Sequence, residues 1–273
     1  MHPEYFIFVP AYNVSQTLAD VLGRIPPAIM ERAQVLVIDD GSKDDTRGVY
    51  ETFVTGEACV AGSDCAGDNR GASRLTCAAH LQYMRFEFNR GYGAVVKCGI
   101  SEGLRSGAKY IACLHGDGQY PAEQLGEFFA YLESVRNQPE VSTLASNQPE
   151  IALVQGSRHA IAGGAKAGNM PLYKRLGGAF LTALENVAFR QKLTDRHSGF
   201  IVYNAEFLNT LDLTKLSPSF DIDLEIISIA DARGYRLAEL PIPTRYAGEK
   251  SNLNVVTYGL RVLRQTWRRF CLR

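Results

Sequence analysis

The chain has 273 residues, 46% of them hydrophobic, and its 29 basic residues balance 29 acidic ones. That is enough for one domain with a sizeable core plus a small appendage, and the even charge argues against wholesale nucleic-acid binding. No run reaches the roughly 18–20 apolar residues of a spanning helix, and residues 1–4 lead into an apolar run with no signal-peptide pattern. A cytoplasmic protein is expected.

Residues 5–9 are a short apolar run ending at Pro10, which suits a buried strand. Ser15 then reads as the N-cap of a helix with Leu18, Val21, Leu22 and Ile25 at helical spacing. A second buried strand over 34–38 is broken by Asp39-Asp40-Gly41-Ser42, with a helix from about Asp44. A third strand is expected over 80–88, a helix over 93–104, and a fourth strand over 110–114. Pro121 opens another helix, and 151–155 is a further strand. Residues 55–79 and 137–150 read as surface loops. No cysteines form a CxxC pair, so no zinc site is expected. Cys98 and Cys113 lie in apolar segments as small hydrophobes, while Cys59, Cys65 and Cys77 share a Gly-rich stretch as reduced thiols.

Strand–helix alternation implies an α/β fold with a doubly wound, mostly parallel sheet, which binds ligands beyond the carboxyl ends of its strands. The polar clusters follow those strands. The first is Pro10-Ala11-Tyr12-Asn13, where Tyr12 can stack on a base or simply end a strand. The second is Asp39 to Thr46: Asp40, at the strand end, can accept from a base or ribose, whereas Asp45 reads as a helix-start charge. The third, Asn89-Arg90-Gly91-Tyr92-Gly93, leads into a helix with Lys97 and allows close backbone approach to an anion.

The fourth cluster is the strongest. His115, Asp117 and Gln119 alternate around Gly116 and Gly118, so an extended chain would turn all three to one side. Imidazole, carboxylate and amide oxygen suit Mn2+ or Mg2+, with diphosphate oxygens filling other positions. A purely structural His115 is the alternative. The fifth cluster runs from Asp195 through Arg196 and His197 to Phe200. Asp195 can act as a general base, orient an acceptor, or form a loop salt bridge.

These motifs in this order resemble the family 2 glycosyltransferases of the GT-A fold, over roughly residues 5–264. The resemblance rests on VPAYN, VIDDGSKDDT, NRGYGAVVKCG, HGDGQYP, GSR and DRHSGF. The chain is most similar to the polyprenyl-phosphate branch, whose type is dolichyl-phosphate mannose synthase. That branch implies inverting transfer from a nucleoside-diphosphate sugar to a lipid phosphate. Pro10, Ala11, Tyr12 and Asp40 would then hold the donor, with Asn89, Gly91, Lys97 and Gly116 around it. Asp117 and Gln119 match the second Asp and the Gln of D-x-D-x-Q, with His115 replacing the first Asp. Arg158 and Arg175 match basic positions implied to face phosphate, and His197 and Lys250 complete the expected phosphate or acceptor set. Asp117 and Asp195 are the expected catalytic residues.

The sequence departs from the pattern elsewhere too. Asn13 is followed by Val14-Ser15 without the usual acidic residue, and the late G-E-S-K element reads Gly248-Glu249-Lys250-Ser251. The trailing transmembrane helices of some relatives are absent. The expected organisation is a catalytic domain over 1–250 and an amphipathic helical segment over 251–273, with oligomeric state left open. In that segment Leu260, Leu263, Trp267 and Phe270 accompany Arg261, Arg264, Arg268 and Arg269, which suits the anionic inner face of a membrane. The alternative is a helix packed on the catalytic domain. Two other readings compete: transfer to a hydroxyl of a glycan or glycolipid, and an inactive sugar-nucleotide binding module. A nucleotidyltransferase is disfavoured, because Pro10-Ala11-Tyr12-Asn13 stands where a Gly-rich pyrophosphate loop is needed.

Overall fold

The computed structural model describes residues 2–56, 80–136, 150–160 and 193–243, with isolated positions between 177 and 187. Arg175, Lys250, the three cysteines of the Gly-rich stretch and the segment over 251–273 lie outside the described residues.

Strand β1 (Tyr5–Ala11) lies inside the sheet, flanked by β2 (Ala33–Asp39) and β4 (Tyr110–Cys113), with β3 (Leu81–Arg85) at one edge. These pairings are all parallel. Beyond β4 come β6 (Ile201–Asn204), β5 (Ile151–Ser157) and β7 (Arg236–Pro241), giving the order β3-β2-β1-β4-β6-β5-β7. Strand β6 runs antiparallel to both neighbours, and β5 pairs with β7 in parallel.

Side chains alternate across β1. Tyr5, Ile7 and Val9 pack with one buried cluster and Phe6 and Phe8 with the other, because successive residues of a strand face opposite ways. The first cluster is covered by α1 (Leu18–Gly23), α2 (Pro27–Met30) and, later in the chain, a helix over Leu125–Arg136. The second is covered by helices over Tyr92–Ser106 and Ile222–Ala232. With α3 as Thr46–Thr55, the later helices with bounds among the described residues are α4 (Tyr92–Ser106), α5 (Leu125–Arg136), α6 (Ala205–Leu208) and α7 (Ile222–Ala232). Each fully buried Leu, Ile or Phe contributes about 1.5–3 kcal/mol relative to exposure. The two clusters therefore hold the sheet between two helical layers, as the strand–helix alternation implies.

Two local expectations change. Ser15 does not cap α1: the chain makes a turn over 15–17, Thr17 takes the cap position, and the Ser15 amide donates to Asp44 Oδ2 instead. Pro121 leads first into a short 3-10 turn, Ala122–Gln124, before α5. Cys113 is buried in the second cluster and Cys98, half-buried beside Met84, packs against it, as expected of small hydrophobes.

Candidate active site

The parallel strands deliver their following loops to one edge of the sheet, and the antiparallel β6 delivers its preceding loop to the same edge. Pairing of Ile201 with both Cys113 and Gln155 sets Gly199 and Phe200 beside the exits of β4 and β5. Segments far apart in sequence thus converge there: 10–13, 39–46, 89–92, 115–120, 157–158 and 195–200.

The first two loops are stitched together. Ser42 Oγ accepts from the Asn13 amide, Thr46 Oγ1 from Val14 and Asp44 Oδ2 from Ser15. Asn13 returns a bond, accepting from the Lys43 amide, and is held at a positive φ of 55°, which Asn tolerates better than most residues. Asp39 is fully buried: it accepts from the Ser42 amide and the Tyr83 hydroxyl, and so closes the turn. Asp45 is exposed at the start of α3, as expected of a helix-start charge.

Asp40 is also buried, and both its oxygens are engaged. Oδ1 accepts from the Arg90 amide at 2.6 Å and Oδ2 from the Gly91 amide at 2.9 Å. Burial raises its pKa, and these two bonds oppose the rise. Asp40, at the end of β2, therefore fixes the loop that opens α4. Gly41 has φ +72°, and a Cβ there would come 2.8 Å from the Asn89 amide nitrogen, so the two loops touch through backbone. Lys97 Nζ donates to the Leu216 carbonyl.

The segment after β4 is a turn, not an extended strand, so the expected one-sided alternation of His115, Asp117 and Gln119 does not occur. Gly118 takes φ +77°, and Asp117 Oδ1 accepts from the Gln119 amide at 3.0 Å. The Gly116 amide donates to Pro10 and its carbonyl accepts from Thr17, which ties the turn to the end of β1. His115 is clamped between Tyr92 and Tyr120, with ring centroids 5.3 and 5.1 Å away. Its Nε2 lies 3.2 Å from the Tyr92 hydroxyl, which donates at 2.8 Å to Asp223 on α7. Burial lowers the His115 pKa; Asp117 opposes the shift and Arg158 adds to it. Gly199 makes room for the ring, and its amide donates to the Tyr120 hydroxyl.

Arg158 and Asp195 form a buried pair. Arg158 Nε and Nη2 lie 2.6 and 2.9 Å from the two carboxylate oxygens, and the Arg158 amide also donates to Asp195. Nη2 reaches the His197 carbonyl as well, and the His197 amide donates to Asp195. Burial raises the Asp195 pKa, but Arg158 outweighs it and the net shift is downward. A carboxylate so held is a weak base, and the salt-bridge alternative describes its geometry better than the general-base expectation.

Among the described residues, no three of His, Cys, Asp and Glu cluster as a metal site. The chemistry of Asp117 and His115 still fits a cation completed by phosphate oxygens and water, the usual arrangement for Mg2+. Asp117 is half-exposed, with an oxygen beyond the one bonded to Gln119, and no described group bonds His115 Nδ1.

Sequence reasoning did not single out Tyr120, Tyr203 or Asp223, nor Gly199 as the space for His115. Tyr92 stood within a motif without a role. One signal was available for Asp223: an acid inside the strongly apolar stretch Ile222–Ala232.

The profile of glycosyl transferase family 2 matches residues 6–211. The chain belongs to this family. Among relatives, a dolichyl-phosphate β-glucosyltransferase of Trichomonas vaginalis is 24% identical over 88% of this chain, which spans 64% of that relative's length. An undecaprenyl-phosphate mannosyltransferase of Micrococcus luteus is 26% identical over 86% of this chain and 80% of its own. Among solved structures, glucosyl-3-phosphoglycerate synthase from Mycobacterium tuberculosis, in complex with Mn2+, uridine diphosphate and glucosyl-3-phosphoglycerate, superimposes with a TM-score of 0.59. It is 14% identical and covers 98% of this chain and 80% of its own. The fold is GT-A.

Proposed function

We propose that this family member transfers a sugar from a nucleoside diphosphate to a polyprenyl phosphate, with inversion and with a divalent cation at Asp117. The observation that carries the reading is the convergence of Asp117, His115 and the Arg158–Asp195 pair at one sheet edge, beside the turn that ends β1 and the loop pinned by Asp40. The names of the relatives support the acceptor class.

In this reading Tyr12 and the loops around Asp40 hold base and ribose. Asp117 and His115 would hold Mn2+ or Mg2+, which when bound supplies Lewis-acid neutralisation of the leaving diphosphate. Arg158 adds a fixed positive charge near the same oxygens, oriented by Asp195. A hydroxyl acceptor would need a base, and Asp195 is committed to Arg158; a lipid phosphate is already anionic and needs none. Arg175, His197 and Lys250 remain proposed contacts of acceptor or donor phosphate. Association with an anionic membrane surface through residues 251–273 also remains a proposal. Among the described residues, no helix is long and apolar enough to cross a membrane.

The test is a panel of nucleoside-diphosphate sugars with polyprenyl phosphate and Mn2+, scored for nucleoside diphosphate and glycolipid, on wild type and Asp117→Asn. Turnover that needs metal and falls at least about 100-fold in the variant is expected, since a cation site supplies several kcal/mol. Wild-type turnover in Asp117→Asn would remove the cation from the reading. Transfer only to hydroxyl acceptors would remove the lipid phosphate.

A further inference from the structure

Behind His115 lies a chain of hydrogen bonds that the transfer reaction leaves unused. Asp223, on the site-facing end of α7, accepts from two phenols: Tyr92 at 2.8 Å on Oδ2 and Tyr203 at 3.2 Å on Oδ1. Tyr92 in turn lies 3.2 Å from His115 Nε2 and 3.8 Å from Cys113 Sγ.

The direction of these bonds follows from counting protons. A carboxylate only accepts, and a phenol has one hydrogen to give. The hydrogen of Tyr92 can go to the carboxylate at 2.8 Å, to a thiol sulfur at 3.8 Å or to an imidazole nitrogen at 3.2 Å. A bond to an ionised acceptor is roughly twice as strong as one between neutral groups, and here it is also the shortest. Tyr92 therefore donates to Asp223 and offers His115 only a lone pair. Nε2 must then carry the ring proton, and the neutral ring is left with an unprotonated Nδ1. No described group bonds Nδ1.

The ring is closely surrounded, and only this orientation puts a nitrogen rather than a carbon within hydrogen-bond distance of the Tyr92 hydroxyl. Tyr92 and Tyr120 flank it, and a Cβ at position 199 would stand 2.6 Å from Nε2, so the Gly199 backbone limits the third side.

We propose that Asp223 and Tyr92 are positioning residues that lock His115 in the Nε2-protonated tautomer and so present the Nδ1 lone pair as the cation ligand beside Asp117. The proposal rests on the cation reading above and adds residues to it. It also accounts for His115 at a place where the family pattern has an aspartate. An aspartate is an acceptor in any orientation, whereas an imidazole is a ligand only on the nitrogen that lacks the proton.

The tautomer can be read without metal, substrate or turnover. In the full chain with 15N-labelled histidine, long-range 1H–15N correlation separates pyrrole-type from pyridine-type nitrogens, and His115→Ala identifies the signals. Wild type should show a pyrrole-type Nε2 and a pyridine-type Nδ1. Tyr92→Phe should shift both nitrogens toward intermediate values, and Mn2+ affinity measured by electron paramagnetic resonance with uridine diphosphate should weaken about 10-fold. Asp223→Asn, which keeps the shape and removes the charge, should weaken Mn2+ in the same direction if Tyr92→Phe proves too unstable to measure. A pyrrole-type Nδ1 in wild type would overturn the proposal. So would unchanged nitrogen shifts and unchanged Mn2+ affinity in both variants. If wild type has the expected tautomer but binds no Mn2+, the failure lies with the cation reading, and His115 is then not a ligand.

Discussion

Gly199→Ala tests how tightly the site is built around His115. The new methyl carbon would lie 2.6 Å from Nε2, 2.9 Å from Cε1 and 3.5 Å from the Tyr92 hydroxyl. The first two distances are far inside normal contact, so the ring or the backbone has to move. The ring is held by Tyr92 and Tyr120, and the Gly199 amide is anchored on the Tyr120 hydroxyl at 2.8 Å, so neither moves freely. Forcing extra volume into a packed site costs about 1–3 kcal/mol, and a lost His115–Tyr92 bond adds about 1 kcal/mol. The expected destabilisation is about 2–4 kcal/mol, measured as the change in urea-unfolding free energy. His115→Ala removes the obstacle, so in the double variant the methyl should be nearly free. The coupling energy of the cycle should exceed about 1 kcal/mol. Additive effects, within about 0.5 kcal/mol, would show that the clash with His115 is not what makes position 199 a glycine.

Two further outcomes follow from the site. Asp195 has a depressed folded pKa, so its contribution to stability is present above the unfolded aspartate value, about 3.9, and is lost as pH falls through the folded value. Asp195→Asn should therefore cost about 3 kcal/mol or more near pH 7, where Arg158 loses its partner, and the gap to wild type should close on acidification below about pH 4; urea midpoints across that range check it, and a pH-independent gap would contradict it. Gly41→Ala meets both a left-handed φ and the Asn89 backbone, so about 1–2 kcal/mol of stability should go together with a raised donor KM; a variant with wild-type donor saturation would show that the contact between the two loops does not shape the donor site.

Much of the sheet was legible because buried parallel strands read as unbroken apolar runs. β1, β2 and β4 each end within two residues of a Pro, Asp or His-Gly signal that sequence reasoning could use. The second half was harder. β6 has only four residues and sits directly between a site loop and α6, while β7 is a half-buried edge strand without a clear pattern. Motif order implied that Asp40, Asp117, Arg158 and Asp195 belong together, and the sheet brings them to one edge. Motif order did not show what each carboxylate touches, because those partners come from tertiary placement. Arg158 and Asp195 are 37 positions apart, and Tyr92 and Asp223 are 131 apart. The same holds for Lys97, whose hydrogen-bond partner, the Leu216 carbonyl, is 119 positions away. The alternation of His115, Asp117 and Gln119 failed because it assumed an extended backbone, which Gly118 does not provide.

The reversed strand has a consequence for how the molecule comes together. β3, β2, β1 and β4 form a continuous parallel ladder from the first 113 residues, but β5, made next, does not pair with it. The ladder between β4 and β5 is completed by β6, which the chain reaches some 40 residues after β5. Until then both β4 and β5 carry an open edge in what becomes the middle of the sheet, the kind of edge that invites pairing with another chain. The loop that brings Gly199 and Asp195 to the site arrives with the same strand. Closing the sheet and assembling the site are therefore one event, and a chain arrested before it has neither.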